Sequence, residues 1–319
     1  MELRSIEFFV RVADLGSISQ ASRELGIVQP ALSRQIQRIE DEIGTALLLR
    51  LPRGVQLTGA GRQFLEHCRR ILREVATAKD ELSASRGMPV GRVAFGVSPS
   101  LASWLVGGIV ERTRTQSPQI QLKIVEGFSP QLYDGLLTGR LDTALMTNPP
   151  PSRALRLFPL VSEPIVVLSP PQMRGTRRFY TLTELSKTPI IVSSGIRSLV
   201  DEQLASYGKR LNVELEVDSL KAIRHLLRSG TGLTVMPLST YREDIELGQI
   251  AAFPIADANV HRLLVLAQSA NEHPSAAVQA MTQIIRAEVG SFSDQGFFTT
   301  IPNSAGPEAA PARKRRQRK

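Results

Sequence analysis

The chain has 319 residues, 42% of them apolar and 22% charged, with a net charge of +9 and a single cysteine, Cys68. This length and apolar content suit two or more domain cores, and one cysteine excludes an internal disulfide framework, a thiolate zinc site and an iron–sulfur cluster. Charges at Glu2, Arg4, Glu7 and Arg11 interrupt the start and no stretch approaches the ~18 uncharged apolar residues of a membrane span, so a cytoplasmic location without a membrane partner is expected.

The first sixty residues read as short helices with tight turns. Leu3, Ile6, Val10 and Ala13 recur at helical spacing, and Gly16 ends that helix. Ser17 is placed to cap the next, from Ile18 to Leu25, which stops at Gly26. A third helix is predicted from about Gln29 to Ile43. Leu32, Ile36, Ile39 and Ile43 form its apolar stripe, while Ser33, Arg34, Gln37 and Arg38 point elsewhere. Pro30 falls in the first turn, where the missing N–H has no helical partner to lose. Residues 50–57 have hairpin character, with Pro52 and Gly54 as turn residues.

From Thr58 to about Arg86 there is no proline, and Phe64, Cys68, Ile71, Val75, Ala78 and Leu82 step by four and three. That heptad seam predicts a dimerisation helix roughly 40 Å long; the alternative is an amphipathic helix lying on its own domain. Cys68 inside the seam reads as a packing residue. Gly87, Pro89 and Gly91 mark a linker. Beyond Arg92, apolar runs alternate with helical patterns: strands at 93–97, 120–124, 141–146, 190–192, 213–217 and 233–236, with helices after most of them. Crossing strands are expected near 155–160 and 164–169, a return strand at 263–266 and a closing helix at 276–289. Repeated strand–helix–strand units imply mostly parallel sheets in two α/β lobes. Residues 291–319, ending in Arg313-Lys314-Arg315-Arg316-Gln317-Arg318-Lys319, read as a solvated, disordered basic tail that adds salt-sensitive affinity for a polyanion.

A short helix, a tight turn and a second helix with a polar face are the parts of a helix-turn-helix, whose second helix enters the major groove by its N-terminal end. Gln29, Pro30, Ser33, Arg34 and Gln37 would then face base edges and phosphates, with Arg suited to guanine and Gln to adenine. Arg50 and Arg53 on the hairpin would reach the flanking backbone. A small helical bundle with solvated charges fits the same composition, and Glu40, Asp41 and Glu42 agree with it because they would repel DNA.

The segments Ser17-Ile18-Ser19-Gln20-Ala21-Ser22-Arg23-Glu24-Leu25, Gln29-Pro30-Ala31-Leu32-Ser33-Arg34-Gln35-Ile36 and Ile39-Glu40 resemble the signature of LysR-type transcriptional regulators. Val55-Gln56-Leu57-Thr58 with Ala60-Gly61 resembles the end of the same module. The resemblance continues through Gly139-Arg140-Leu141-Asp142, Gly230-Thr231-Gly232-Leu233 and Met236-Pro237, covers about residues 2–290, and is nearest to nitrogen-assimilation-control-like members. Val28 stands where the family usually has Ser, Thr or Ala, Leu48 replaces an aromatic residue, and Pro52 is unusual at the wing tip. The resemblance implies a winged helix-turn-helix domain at 1–58 and a dimerisation linker helix at 59–87. An effector domain with periplasmic-binding-protein-like lobes follows at 88–290, lobe I at about 92–163 and 266–290, lobe II at about 164–265. It also implies a homodimer or homotetramer on double-stranded promoter DNA, with RNA polymerase as a further partner.

Open α/β sheets bind ligands beyond the carboxyl ends of their strands. Ser98, Ser100, Gly127, Ser129, Thr147, Ser193, Ser194 and Arg197 occupy such positions and are the expected contacts for a small, anionic organic effector. Taken singly, each serine reads as an ordinary helix cap. No cofactor or metal is expected: His67, His225, His261 and His273 show no metal-ligand spacing, and no phosphate-binding glycine loop is present. Gly96-Val97-Ser98-Pro99-Ser100 approaches a hydrolase elbow but lacks its final glycine, so a serine hydrolase is the enzyme alternative. A solute-binding transport protein would share the lobes but not the first ninety residues.

Overall fold

The structure, a computed structural model, describes residues 1–84, 89–270, 273–293 and 298–300. Helices α1 (Leu3–Leu15), α2 (Ile18–Glu24) and α3 (Gln29–Ile43) begin it. Gly16 and Gly44 close α1 and α3 in left-handed conformation, and the Ser17 hydroxyl accepts from Gln20 N at the start of α2. The hairpin of β1 (Leu48–Leu51) and β2 (Gly54–Leu57) is tied back twice. Glu40 Oε1 accepts from Leu47 N and Leu48 N at 2.8 and 3.0 Å, and Val55 N donates to Gly16 O at 2.8 Å. Gly54 has φ +118°, and a Cβ there would lie 2.4 Å from Gly16 O, so the approach of the wing to the α1–α2 turn requires glycine. Glu40 therefore holds the wing, which answers part of the charge objection raised above.

Helix α4 (Gly59–Ala84) divides its work. Its first turns enter the head's own core: Leu65 and Cys68 are buried with Phe9, Val12, Leu32 and Ile36, and Phe64 lies 5.1 Å from the Phe9 ring. The expectation that the whole seam awaits a partner is corrected at Phe64 and Cys68, because α1 covers them. Ile71 remains 39% exposed, Val75 is half-buried and Ala78 is exposed; the Leu82 side chain lies outside the description. On the far side of α4, Arg73 Nη1 donates to Gly139 O at 2.9 Å, which docks the helix against the domain that follows.

That domain contains, in order, β3 (Gly91–Val97), α5 (Pro99–Gln116), β4 (Ile120–Glu126), α6 (Ser129–Leu137), β5 (Thr143–Thr147) and β6 (Leu155–Ser169). Then come α7 (Leu182–Leu185), β7 (Ile190–Val192), α8 (Ser194–Ala205), β8 (Val213–Glu216), α9 (Leu220–Arg228) and β9 (Leu233–Pro237). A 3-10 turn (Leu238–Tyr241), α10 (Arg242–Glu246), β10 (Ala251–Phe253), β11 (His261–Ser269), α11 (Ala276–Ser293) and β12 (Thr299–Thr300) complete it. Strands run in the order β4-β3-β5-β11-β6-β9-β7-β8. The pairs β3–β4, β3–β5, β7–β8 and β7–β9 are parallel, as strand–helix alternation predicts.

Three expectations change. The strands expected near 155–160 and 164–169 are one, β6, whose first half pairs with β11 and whose second half pairs with β9 and β10, so a single strand serves both lobes. Lobe I takes β11 from His261, earlier than the expected 266, because Arg262 to Ser269 pair with β6 residues 155–163. The ordered chain also passes 290. Phe298 is buried on Trp104 with ring centroids 5.3 Å apart, and Thr299 pairs with Ser162 of β6. Apolar side chains at 292 and 298 made burial more favourable than solvation there. The basic run at 313–319 lies outside the described residues. Lobe I packs α5 and α11 on its sheet through Phe95, Leu101, Leu105, Met281 and Ile285; lobe II has its own core around Ile190, Val192, Val200 and Val235.

Candidate nucleic-acid interface and ligand cleft

Helix α3 separates two faces. Leu32, Ile36 and Ile39 are buried, and Gln29, Pro30, Arg34 and Gln37 are exposed, with Ser33 half-buried beside them. At 3.6 residues per turn these five fall within an arc of roughly 140° at the amino-terminal part of the helix. Ser19 Oγ on α2 donates to Gln29 Oε1 at 3.1 Å, Gln37 Nε2 donates to Asp41 Oδ1 at 3.0 Å, and Arg50 Nη2 of the hairpin donates to Ser33 Oγ at 3.2 Å. Arg50 is thus drawn to the α3 face; Arg53 is exposed at the wing tip. Val28, at the N-cap, is 70% exposed and has no side-chain acceptor to offer the first-turn N–H groups. A protruding helix end with unsatisfied donors, two amide side chains and Arg34 can read base edges and hold phosphates.

In the second half, the carboxyl ends of β3, β4, β7 and β8 each meet a helix start, those of α5, α6, α8 and α9. The structure treats the expected contacts unequally. Ser98 Oγ is buried and has no hydrogen-bond partner among the described residues. Ser193 is buried at the N-cap of α8 and makes no capping bond. Ser129 Oγ donates to Thr147 O at 3.0 Å, linking two expected contacts to each other. Gly127 N already donates to Val97 O at 3.1 Å, and Ser194 donates through N and Oγ to Asp218 Oδ1 at 2.8 Å. Arg197 is bound to Glu216 at 2.7 Å and lies 3.7 Å from Asp201, and the Glu216 hydrogen bond raises its already high pKa. Its charge is therefore compensated on the surface of lobe II, which weakens its expected role as the anion's counter-charge.

The sequence reading missed the polar hub at the junction of the lobes. Glu163 on β6 and Arg262 on β11 face each other across the ladder, at 0% and 1% exposure. Arg262 Nε and Nη2 reach Glu163 Oε2 at 2.8 and 2.7 Å, and Ser239 N donates to Glu163 Oε1 at 2.7 Å. Arg262 Nη1 donates to Ser100 Oγ at 2.7 Å and Nη2 to Ser239 Oγ at 3.1 Å. One guanidinium thus connects α5 of lobe I with the turn after β9 of lobe II. Next to Ser239, Thr240 Oγ1 is buried without a partner among the described residues. Ser98 and Thr240 thus leave two buried hydroxyls without described partners, two residues before Ser100 and one after Ser239 of the hub, although buried polar groups normally find partners.

Comparison with known proteins agrees with both halves. The family model described as a bacterial regulatory helix-turn-helix protein of the lysR family matches residues 3–62, and the LysR substrate binding domain model matches residues 86–290. The regulator BbuR of Bordetella bronchiseptica is 27% identical over 305 residues, covering 94% of each chain. The nitrogen assimilation regulatory protein nac of Klebsiella aerogenes is 29% identical over 291 residues, covering 89% of this chain and 94% of its own. A full-length OxyR variant from Pseudomonas aeruginosa shares the fold with a TM-score of 0.75 at 22% identity, covering 95% of this chain and 99% of its own.

Proposed function

The chain belongs to the LysR family of transcriptional regulators and is a regulator, not an enzyme; from that premise we propose how its residues divide the work. Residues 1–58 form the DNA-reading head, 59–87 the linker, and the segment from 88 the effector-binding domain. Gln29, Ser33, Arg34 and Gln37 read the major groove, Pro30 starts the reading helix, and Arg50 and Arg53 hold flanking phosphates. The observation that carries this reading is the exposed polar arc of α3 backed by Leu32, Ile36 and Ile39.

The uncovered part of the α4 seam, Ile71, Val75 and Ala78, pairs with a second copy, giving a homodimer or, as a dimer of dimers, a homotetramer. A small anion sits between the lobes, held by the starts of α5, α6, α8 and α9 and by Ser98, Ser100, Ser129, Thr147 and Ser193. Gly127, Ser194 and Arg197 line the approach, their hydrogen-bonding groups being already engaged. The effector acts only through differential affinity for two arrangements of the lobes, and the Glu163–Arg262 hub is where closure is felt. The altered spacing of paired heads changes promoter DNA binding and contact with RNA polymerase, in the cytoplasm. Among the described residues no helix is long and apolar enough to cross a membrane.

Footprinting the full chain on its own upstream region tests the reading. Protection of an interrupted inverted repeat is expected from a symmetric dimer; a footprint on one unsymmetrical half-site, or equal affinity for unrelated oligonucleotides, would overturn it. A thermal-shift screen of small carboxylates, amino-acid precursors and sulfur metabolites then identifies the effector.

A further inference from the structure

Helix α6 of lobe I ends against α4. Its last turn closes through Thr138 N to Asp134 O at 2.9 Å and Arg140 N to Gly135 O at 2.8 Å, with Gly139 left-handed at φ +64°. Carbonyls at a helix end lack intrahelical partners, and those of Thr138 and Gly139 are met by α4. Arg69 Nη1 donates to Thr138 O at 3.4 Å, and Arg73 Nη1 donates to Gly139 O at 2.9 Å. Cations also suit the negative end of the helix dipole. A Cβ at position 139 would overlap the Arg73 guanidinium, so this approach requires glycine for space as well as for its backbone angle.

Arg69 also reaches in the other direction. Its Nη2 pairs with Asp14 in the last turn of α1, so one guanidinium holds the DNA-reading head and lobe I at once. The Arg69 side chain is 11% exposed. A guanidinium carries five donors in a fixed plane, which lets its two Nη atoms serve different domains; the single ammonium of a lysine has no such fork. Charge-assisted bonds of this kind are stronger than neutral ones. Because α1 and α4 already share the head's core through Phe9 and Phe64, the tie to Thr138 makes head, α4 and lobe I one body.

We propose that Arg69 is a positioning residue for DNA recognition: it fixes the angle of the reading head on lobe I, and thereby the half-site spacing that the paired protein accepts. This rests on the pairing of two copies described above and adds a separate determinant of specificity. Arg34 and its neighbours read bases within one half-site. Arg69, largely buried between the head and lobe I, selects which separation of two half-sites is read together. Arg73 supports the same angle one turn further along α4.

Competition binding of the full chain tests this, with the footprinted operator and a version lengthened by ~5 base pairs, which turns one half-site about half a helical turn away. The unaltered chain should bind the lengthened operator roughly a hundredfold more weakly, because fixed heads cannot engage both half-sites together. Arg69→Leu should lose less than about tenfold on lengthening, while still preferring the operator half-site to a scrambled one. Gly139→Ala, a change confined to lobe I, should relax the spacing in the same way. Arg70→Gln, exposed on the same helix with Nη2 2.9 Å from His67 Nδ1, should keep the full penalty. X-ray scattering of the full chain without DNA should show a larger radius of gyration for Arg69→Leu. A full spacing penalty in Arg69→Leu or Gly139→Ala, equal relaxation in Arg70→Gln, loss of half-site preference together with spacing in Arg69→Leu, or unchanged scattering would each overturn the proposal. Failure to find any operator refutes the proposed function instead, and the scattering then decides the tie by itself.

Discussion

Glutamine at position 163 would keep the shape of the hub and remove its negative charge. Glu163 takes three donors, Arg262 Nε, Arg262 Nη2 and Ser239 N, at 2.7–2.8 Å. A glutamine offers one acceptor oxygen, and its amide group would turn N–H donors toward those already present. Arg262, at 1% exposure, would then be a buried cation without its counter-charge. Breaking such a pair from one side costs about 3–5 kcal/mol. Replacing both partners, Glu163→Leu with Arg262→Met, removes the two charges together and orphans only Ser239 N and the Ser100 and Ser239 hydroxyls. It should cost at least about 2 kcal/mol less than the sum of the single changes. Trp104, the only tryptophan, sits in lobe I against Phe292 and Phe298, so its fluorescence in urea reports the domain's unfolding. A loss below about 1 kcal/mol for Glu163→Gln, or strict additivity in the cycle, would refute the idea that this pair latches the lobes.

Arg34→Ala should lower affinity for the operator by about 1–3 kcal/mol and reduce the ratio of specific to non-specific binding; an unchanged ratio in competition assays would remove Arg34 from base reading. Val28→Ser would supply the missing cap acceptor at α3 and should stabilise the head by about 0.5–2 kcal/mol, measured by urea unfolding of the full chain. Burial pushes the Cys68 thiol up to about 12, so a disulfide reagent at pH 8 should label it only after unfolding. The native state then keeps a proton that the unfolded chain releases above pH ~8.5, and stability should fall as pH rises beyond that value. Truncation after residue 300 removes Arg313 to Lys319 and should flatten the salt dependence of DNA binding, by a log–log slope of about 0.9 for each lost phosphate contact.

Elements with strong local signals were legible in the chain itself. Glycine stops at Gly16 and Gly44 and the apolar stripe of α3 are local, and α3 runs from Gln29 to Ile43 as expected. The continuity of β6 was not legible: strands were expected at 155–160 and 164–169, and the prolines at 159 and 164 take two ladder donors out of the run that joins them. In the fold Pro159 lies where the β6–β11 register shifts, and Pro164 lies at the end of that pairing, where a missing donor costs little. The seam of α4 was visible but its partners were not, since contact with α1 depends on tertiary packing. Glu163 and Arg262 stand 99 residues apart with no periodic signal to join them. Arg197 looked like an available cation because Glu216, across the lobe II sheet, is not its neighbour in sequence.

The place where the chain leaves and re-enters lobe I has an evolutionary consequence. Pro164 and His261 are opposed across the ladder, and Ile165 N donates to Val260 O at 2.8 Å. The whole of the smaller lobe is therefore an insertion between two adjoining points of one β-ribbon. Such an arrangement lets that module be exchanged or remodelled for a new chemical signal while the ribbon, the helix that docks on it and the genes it addresses stay as they were.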